Sequence, residues 1–161
     1  MGAACVVAPG RNQEVLEDLA RRFGSRLRTV KLSGNEDDDR ERMRQAAPGP
    51  IDCVLDLLPP SASTAPVRPY GRVVLMGGVG MLGGAGLELP YPSMMRNCIT
   101  IRGQWMYPSD ASIRLAGLIR SALLRLDNFS VATFDLDHAN DAVAHAAANN
   151  GAFKMTVLRP S

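Results

Sequence analysis

The sequence has no long hydrophobic run, no cysteine framework and little excess of charge of either sign, and each absence removes a class of protein. Its apolar stretches, such as Val73–Met76, fall far short of the roughly eighteen residues that a membrane-spanning helix needs. Met1–Ala8 carries no basic leader of the kind that opens a secretory signal. A soluble, cytoplasmic protein with no membrane partner is expected. Cys5, Cys53 and Cys98 are odd in number, far apart and each set in an apolar, strand-like segment. They read as buried reduced thiols rather than as disulfide halves or zinc ligands. Lysine and arginine total 18 against 16 acids, a net charge of +2, and the bases are interleaved with the acids, so nucleic acid is not an expected partner. His138 and His145 lie seven residues apart on one expected helix with no cysteine or acid placed to join them. Ordinary surface histidines are expected there, and no metal site. No Ser, Cys or Lys occupies a nucleophile setting such as GxSxG.

What is present is a chain of 161 residues, 46% hydrophobic, long enough to bury a core. Cys5–Ala8 is a short apolar run closed by Pro9-Gly10, after which Val15, Leu16, Leu19, Ala20 and Phe23 recur at helical spacing up to Gly24. Leu27–Leu32 alternates as a strand does, and Ser33-Gly34-Asn35 marks a turn whose asparagine can cap a helix. Glu36–Asp39 then places negative charge on that helix's amino end, with Arg40, Arg42 and Arg44 further on, as on a solvated surface helix. Ile51–Asp56 and Arg72–Gly77 read as central strands, and Pro59, Pro60, Pro66 and Pro69 between them leave room only for a short or broken crossover. Ile99–Gly103 is a further strand. Ser109 or Asp110 can cap a helix bearing Leu115, Leu118, Ile119, Ala122 and Leu126, and Asp137 another bearing Ala142, Val143 and Ala146. Lys154–Leu158 closes the chain as a strand. Strands alternating with helices predict α/β layering on a parallel sheet.

In this order the segments resemble the medium-chain dehydrogenase/reductase family, in its alcohol dehydrogenase and quinone oxidoreductase branches. The resemblance is carried by Gly2–Asn12, Ile51–Asp56, Tyr70–Gly77, Ile99–Gly103 and Phe134–Ala142. Each stretch is weak alone, and their succession is more telling than any one motif. The resemblance implies a Rossmann-like parallel sheet with flanking helices, lacking the first βα unit of the family. Residues 1–108 would form the truncated nucleotide-binding region. Residues 109–161 would be the carboxy-terminal helices and strand that, in the family, pack on the substrate domain.

The same resemblance implies an NADP(H)-linked oxidoreductase portion that is not catalytic alone, acting on a small molecule of unknown identity, without zinc. Gly10-Arg11-Asn12 follows the first strand where NAD-preferring relatives place a carboxylate, and an arginine there favours a ribose phosphate. Gly78, Gly80 and Gly83 spell GxGxxG after a strand. Yet Gly84, Gly86, Pro90 and Pro92 oppose the helix whose amino end must face a pyrophosphate. By resemblance this loop instead passes the nicotinamide, making Gly77, Gly78 and Val79 candidate contacts. Leu57 and Leu58 would lie near the adenosine and Gln104 near the nicotinamide end.

The absent first strand is the central one in the order 3-2-1-4-5-6. Each buried, unpaired backbone group costs roughly 1–3 kcal/mol, so something is expected to fill or close the gap. Two partners are expected on these grounds: a missing segment supplied with this one, or a second copy forming a homodimer through the edge strand 97–104. The alternative function is a non-catalytic remnant serving as a dimerisation or partner-binding module.

Overall fold

The computed structural model describes residues 2–57, 67–76 and 89–160, which fall in two compact units, Met1–Tyr107 and Pro108–Ser161. In chain order the first unit contains β1 (Val6–Gly10), α1 (Gln13–Phe23), β2 (Leu27–Lys31), α2 (Glu36–Ala46), β3 (Ile51–Asp56), β4 (Val67–Leu75), α3 (Tyr91–Arg96) and β5 (Thr100–Gly103). The second contains α4 (Ala111–Arg120), β6 (Ser130–Asp135), α5 (Ala139–Ala148) and β7 (Lys154–Arg159).

Local chemistry sets the helix ends. Asn12 caps α1 by accepting the Val15 amide at 3.2 Å, Arg21 and Arg22 occupy the last turn, and Gly24 stops it at φ 56°. Asn35 caps α2 by accepting the amides of Asp37 and Asp38, both at 3.1 Å. The expectation of a wholly solvated α2 is corrected at Asp39. This side chain is buried and turns back to the Ser33–Gly34 turn, whose amides need an acceptor.

Every strand pairing among the described residues is parallel, as the βα alternation predicts. The first unit holds two separate sheets, β1-β2 and β3-β4-β5, and the second unit holds β6-β7. No ladder joins β1 to β3 among the described residues. The fold is α/β with parallel sheets flanked by helices.

β4 begins earlier than the sequence suggests. Val67 pairs with Ile51 and Arg72 with Cys53, so Arg68–Gly71 bulge out between them. Tyr70 adopts φ 62° in the bulge, and its amide donates to the Asn97 carbonyl at 2.8 Å. A Cβ on Gly71 would stand 2.2 Å from Val67 Cγ2, so only glycine fits. Pro69 is tolerated because a bulge residue owes the ladder no donor.

Among the described residues, the buried apolar side chains are Leu16, Val30 and Val73 in the first unit and Ala142 in the second. The expectation that all three cysteines are buried is corrected, because Cys53 and Cys98 are exposed and Cys5 is half-buried. Cys53 and Leu55 lie on β3, which among the described residues pairs on one side only, with β4.

In the second unit α4 stops at Arg120 rather than running on to Leu126, and Ala122 takes φ 56° just beyond it. Strand β6 was not legible, and Asp137 does not cap α5: it sits inside a 3-10 turn, Leu136–His138, that precedes it. His138 is therefore outside α5. His145, read as a surface residue, is half-buried against the sheet, with Nδ1 3.1 Å from Thr156 Oγ1 and its ring 5.3 Å from Phe134.

Candidate functional site

Open parallel sheets bind ligands beyond the carboxyl ends of their strands, where loop backbone is free of the ladder. In the β1-β2 sheet that edge is formed by Gly10-Arg11-Asn12 after β1 and Lys31-Leu32-Ser33-Gly34 after β2. Gly10 is paired in register with Lys31, and its carbonyl accepts the Leu32 amide at 2.9 Å. The two turns are thereby locked side by side. A Cβ at Gly10 would stand 3.1 Å from Leu16 Cδ2, so the close approach of α1 to β1 favours glycine there.

Of the three residues on the first turn, Asn12 has its side-chain oxygen engaged as the α1 cap. Arg11 is exposed and makes no ion pair or hydrogen bond among the described residues. Lys31 is exposed on the neighbouring strand end. The nearby carboxylate on the second turn is committed elsewhere: Asp39 accepts Ser33 N–H at 2.7 Å, Ser33 Oγ–H at 2.8 Å and Gly34 N–H at 3.1 Å. The Ser33 amide holds the Asp39 carboxyl below the usual carboxylate range; burial opposes this, and the Ser33 hydroxyl, the Gly34 amide and the Arg42 charge reinforce it. Asp39 is thus an anion that rigidifies the turn rather than a free acid.

The second sheet presents Leu57, Met76 and Gln104 at its carboxyl edge. The Met76 amide donates to the Asp56 carbonyl at 2.8 Å and the Gln104 amide to the Leu75 carbonyl at 2.9 Å, which carries the three strand ends forward in step. Leu57 is exposed beside Asp56, whose carboxylate is buried. Sequence reasoning treated Asp56 only as a strand end, and an acid closing an apolar run was the signal available. The Gln104 side chain turns back to donate to the Met106 carbonyl, within its own loop. Leu58, Gly77, Gly78 and Val79 lie outside the described residues, as does the rest of the GxGxxG string.

A cavity of about 340 Å³ lies at the opposite end of the strands, lined by Arg44, Gly49, Pro50, Ile51, Val67 and Arg68. It belongs to the amino edge and shares no residue with the turns above. Among the described residues, no group of three His, Cys, Asp or Glu side chains could hold a metal ion, and no helix is long and apolar enough to cross a membrane.

No protein-family model and no curated protein matches the chain. Solved structures do. Benzyl alcohol dehydrogenase from Acinetobacter calcoaceticus superposes with a TM-score of 0.71 at 16% identity, covering 98% of this chain and 44% of that one. An alcohol dehydrogenase from E. coli CFT073, complexed with NADH, gives 0.66 at 16% identity over 91% and 42%. The alcohol dehydrogenase of the archaeon Aeropyrum pernix gives 0.59 at 18% identity over 89% and 39%. The chain spans half or less of the length of the structures it matches. Its fold is that of part of the alcohol dehydrogenases of the medium-chain dehydrogenase/reductase family, as the order of its segments implies.

Proposed function

We propose that the chain is the nucleotide-holding portion of an oxidoreductase of the alcohol dehydrogenase type, and that its nucleotide is NADP(H). The observation that carries this is Arg11: an exposed guanidinium with no ion pair among the described residues, at the carboxyl end of β1, in a turn that contains no carboxylate. A ribose phosphate carries two or more acceptor oxygens that match the guanidinium fork, and Lys31 in register with Gly10 adds a second positive charge. A ribose with only hydroxyls gains far less from two cations.

The rest of the dinucleotide is assigned by resemblance: adenosine along Leu57 and Leu58, nicotinamide toward Gly77, Gly78, Val79 and Gln104. When bound, a nicotinamide cofactor supplies hydride transfer. The portion is assigned binding and not turnover by itself.

Calorimetric titration with adenosine 2′,5′-bisphosphate and with adenosine 5′-monophosphate tests the assignment at the adenosine end alone. The bisphosphate should bind at least tenfold more tightly. Equal affinities, or binding of neither, would overturn it.

A second reading is favoured by β5, which among the described residues pairs with β4 on one side and with no strand on the other. In this reading segment 97–104 joins two copies edge to edge. Light scattering at micromolar concentration should then report a dimer, and a monomer would contradict it.

A further inference from the structure

We infer that the cavity at the amino ends of β3 and β4 binds a small organic monoanion, a carboxylate carrying an apolar body of a few carbons. The site shares no residue with the nucleotide turns, and the inference does not depend on them.

The bulge in β4 shapes the cavity. Ile51 pairs with Val67 and Cys53 with Arg72, so the four residues between Val67 and Arg72 stand outside the ladder. Gly71 closes the bulge tightly: an added Cβ would stand 2.2 Å from Val67 Cγ2, 2.8 Å from the Arg68 carbonyl oxygen and 3.1 Å from the Asp52 carbonyl oxygen. Val67 and Arg68 are thereby held beside Ile51. Gly49-Pro50 leads from α2 into β3, which brings Arg44, in the last turn of α2, to the same cavity. Its volume of about 340 Å³ lies at the lower end of the roughly 300–1,000 Å³ of small-molecule sites.

The lining divides by chemistry. Pro50, Ile51 and Val67 supply an apolar wall, and Arg44 and Arg68 supply two guanidinium groups. Arg68 is fixed in place, because Nε donates to Asp52 Oδ1 at 2.6 Å and Nη1 to the Pro69 carbonyl at 2.9 Å. Its Nη2 has no acceptor among the described residues. Arg44 is freer still. Its ion pair with Glu41 is 3.7 Å long, beyond hydrogen-bonding reach, so its donors have no acceptor among the described residues.

Charge then decides the class of ligand. Asp52 and Glu41 offset the two arginines, so the site has spare donors but little net positive charge. A carboxylate presents two acceptor oxygens to those donors and brings a single negative charge. A phosphate dianion makes the same hydrogen bonds, but its second charge is repelled by Asp52 and Glu41. A neutral alcohol of the same body meets the apolar wall and gains no charge-assisted hydrogen bond.

The test titrates the full chain, without nucleotide, with acetate, butyrate, hexanoate, 1-hexanol and inorganic phosphate, and follows backbone amide shifts by NMR. Affinity for the carboxylates should rise about twofold or more with each added methylene. The shifts should gather at Gly49, Ile51, Val67 and Arg68. Hexanoate should bind about tenfold or more tightly than 1-hexanol or phosphate. Arg44→Gln alters a side chain that is 55% exposed, so the fold is retained. It should weaken hexanoate about three- to tenfold and leave 1-hexanol unchanged, and Arg44→Lys should recover part of the loss. The inference is overturned if no carboxylate binds, if 1-hexanol or phosphate binds as tightly as hexanoate, or if Arg44→Gln binds hexanoate like the unaltered chain. It is equally overturned if the shifts fall at Arg11 and Lys31, which would place the anion on the nucleotide turns.

Discussion

Asp39, in the first turn of α2, accepts the Ser33 amide at 2.7 Å and the Ser33 hydroxyl at 2.8 Å, tying the helix to the turn that follows β2. The tie positions the carboxyl edge of the first sheet, because the Leu32 amide, next to Ser33, donates to the Gly10 carbonyl. Asp39→Asn keeps the shape but removes one acceptor and the charge, and should lower Tm at pH 7. The folded carboxyl is held below its ordinary value, so its stabilising effect is fully present above about pH 3.9, the unfolded value. It is lost as pH falls through the depressed folded value. The difference in Tm between the two proteins should accordingly shrink on acidification below about pH 3.9. A difference that grew instead would reverse the sign argued here.

The bulge in β4 predicts opposite outcomes at adjacent residues. Tyr70 pays for φ 62° with its own Cβ, so Tyr70→Gly should stabilise the chain by about 1 kcal/mol in urea unfolding. Gly71→Ala, which brings a Cβ against Val67 and the Arg68 carbonyl, should destabilise it by about 1–3 kcal/mol. Equal effects at the two positions would mean the bulge is not held as described.

Leu16 is one of the few apolar side chains buried among the described residues, and stability should depend on it. Leu16→Ala is expected to cost roughly 2–5 kcal/mol, and Leu16 is buried against the turn at Gly10. Leu123→Ala, at an exposed site, should cost under about 0.5 kcal/mol. Denaturant midpoints of the two variants make the comparison, and similar midpoints would argue that Leu16 does not anchor α1.

The order of elements was legible because hydrophobic period and punctuation agreed. Val15, Leu16 and Leu19 repeat at helical spacing between Asn12 and Gly24, and Ile51–Asp56 is an unbroken apolar-rich run. Strand β6 was not legible, since Ser130–Asp135 mixes small, polar and apolar residues and its stability comes from the ladder with β7. The early start of β4 was hidden by Pro69, which signals a break in sequence but sits in a bulge. At the candidate site, Arg11 and the turn around it could be read locally. The burial of Asp39 could not, because it depends on a turn that precedes the helix and looks from sequence like one more charge on an acidic first turn.

The central claim is tested most directly by measuring dissociation constants for NADPH and NADH on the full chain and on Arg11→Ala. The account predicts that the chain prefers NADPH by at least tenfold, and that Arg11→Ala loses about tenfold or more in NADPH affinity while leaving NADH nearly unchanged, as loss of a charge-assisted hydrogen bond requires. Equal affinity of the unaltered chain for both nucleotides, or an equal loss for both in the variant, would contradict it.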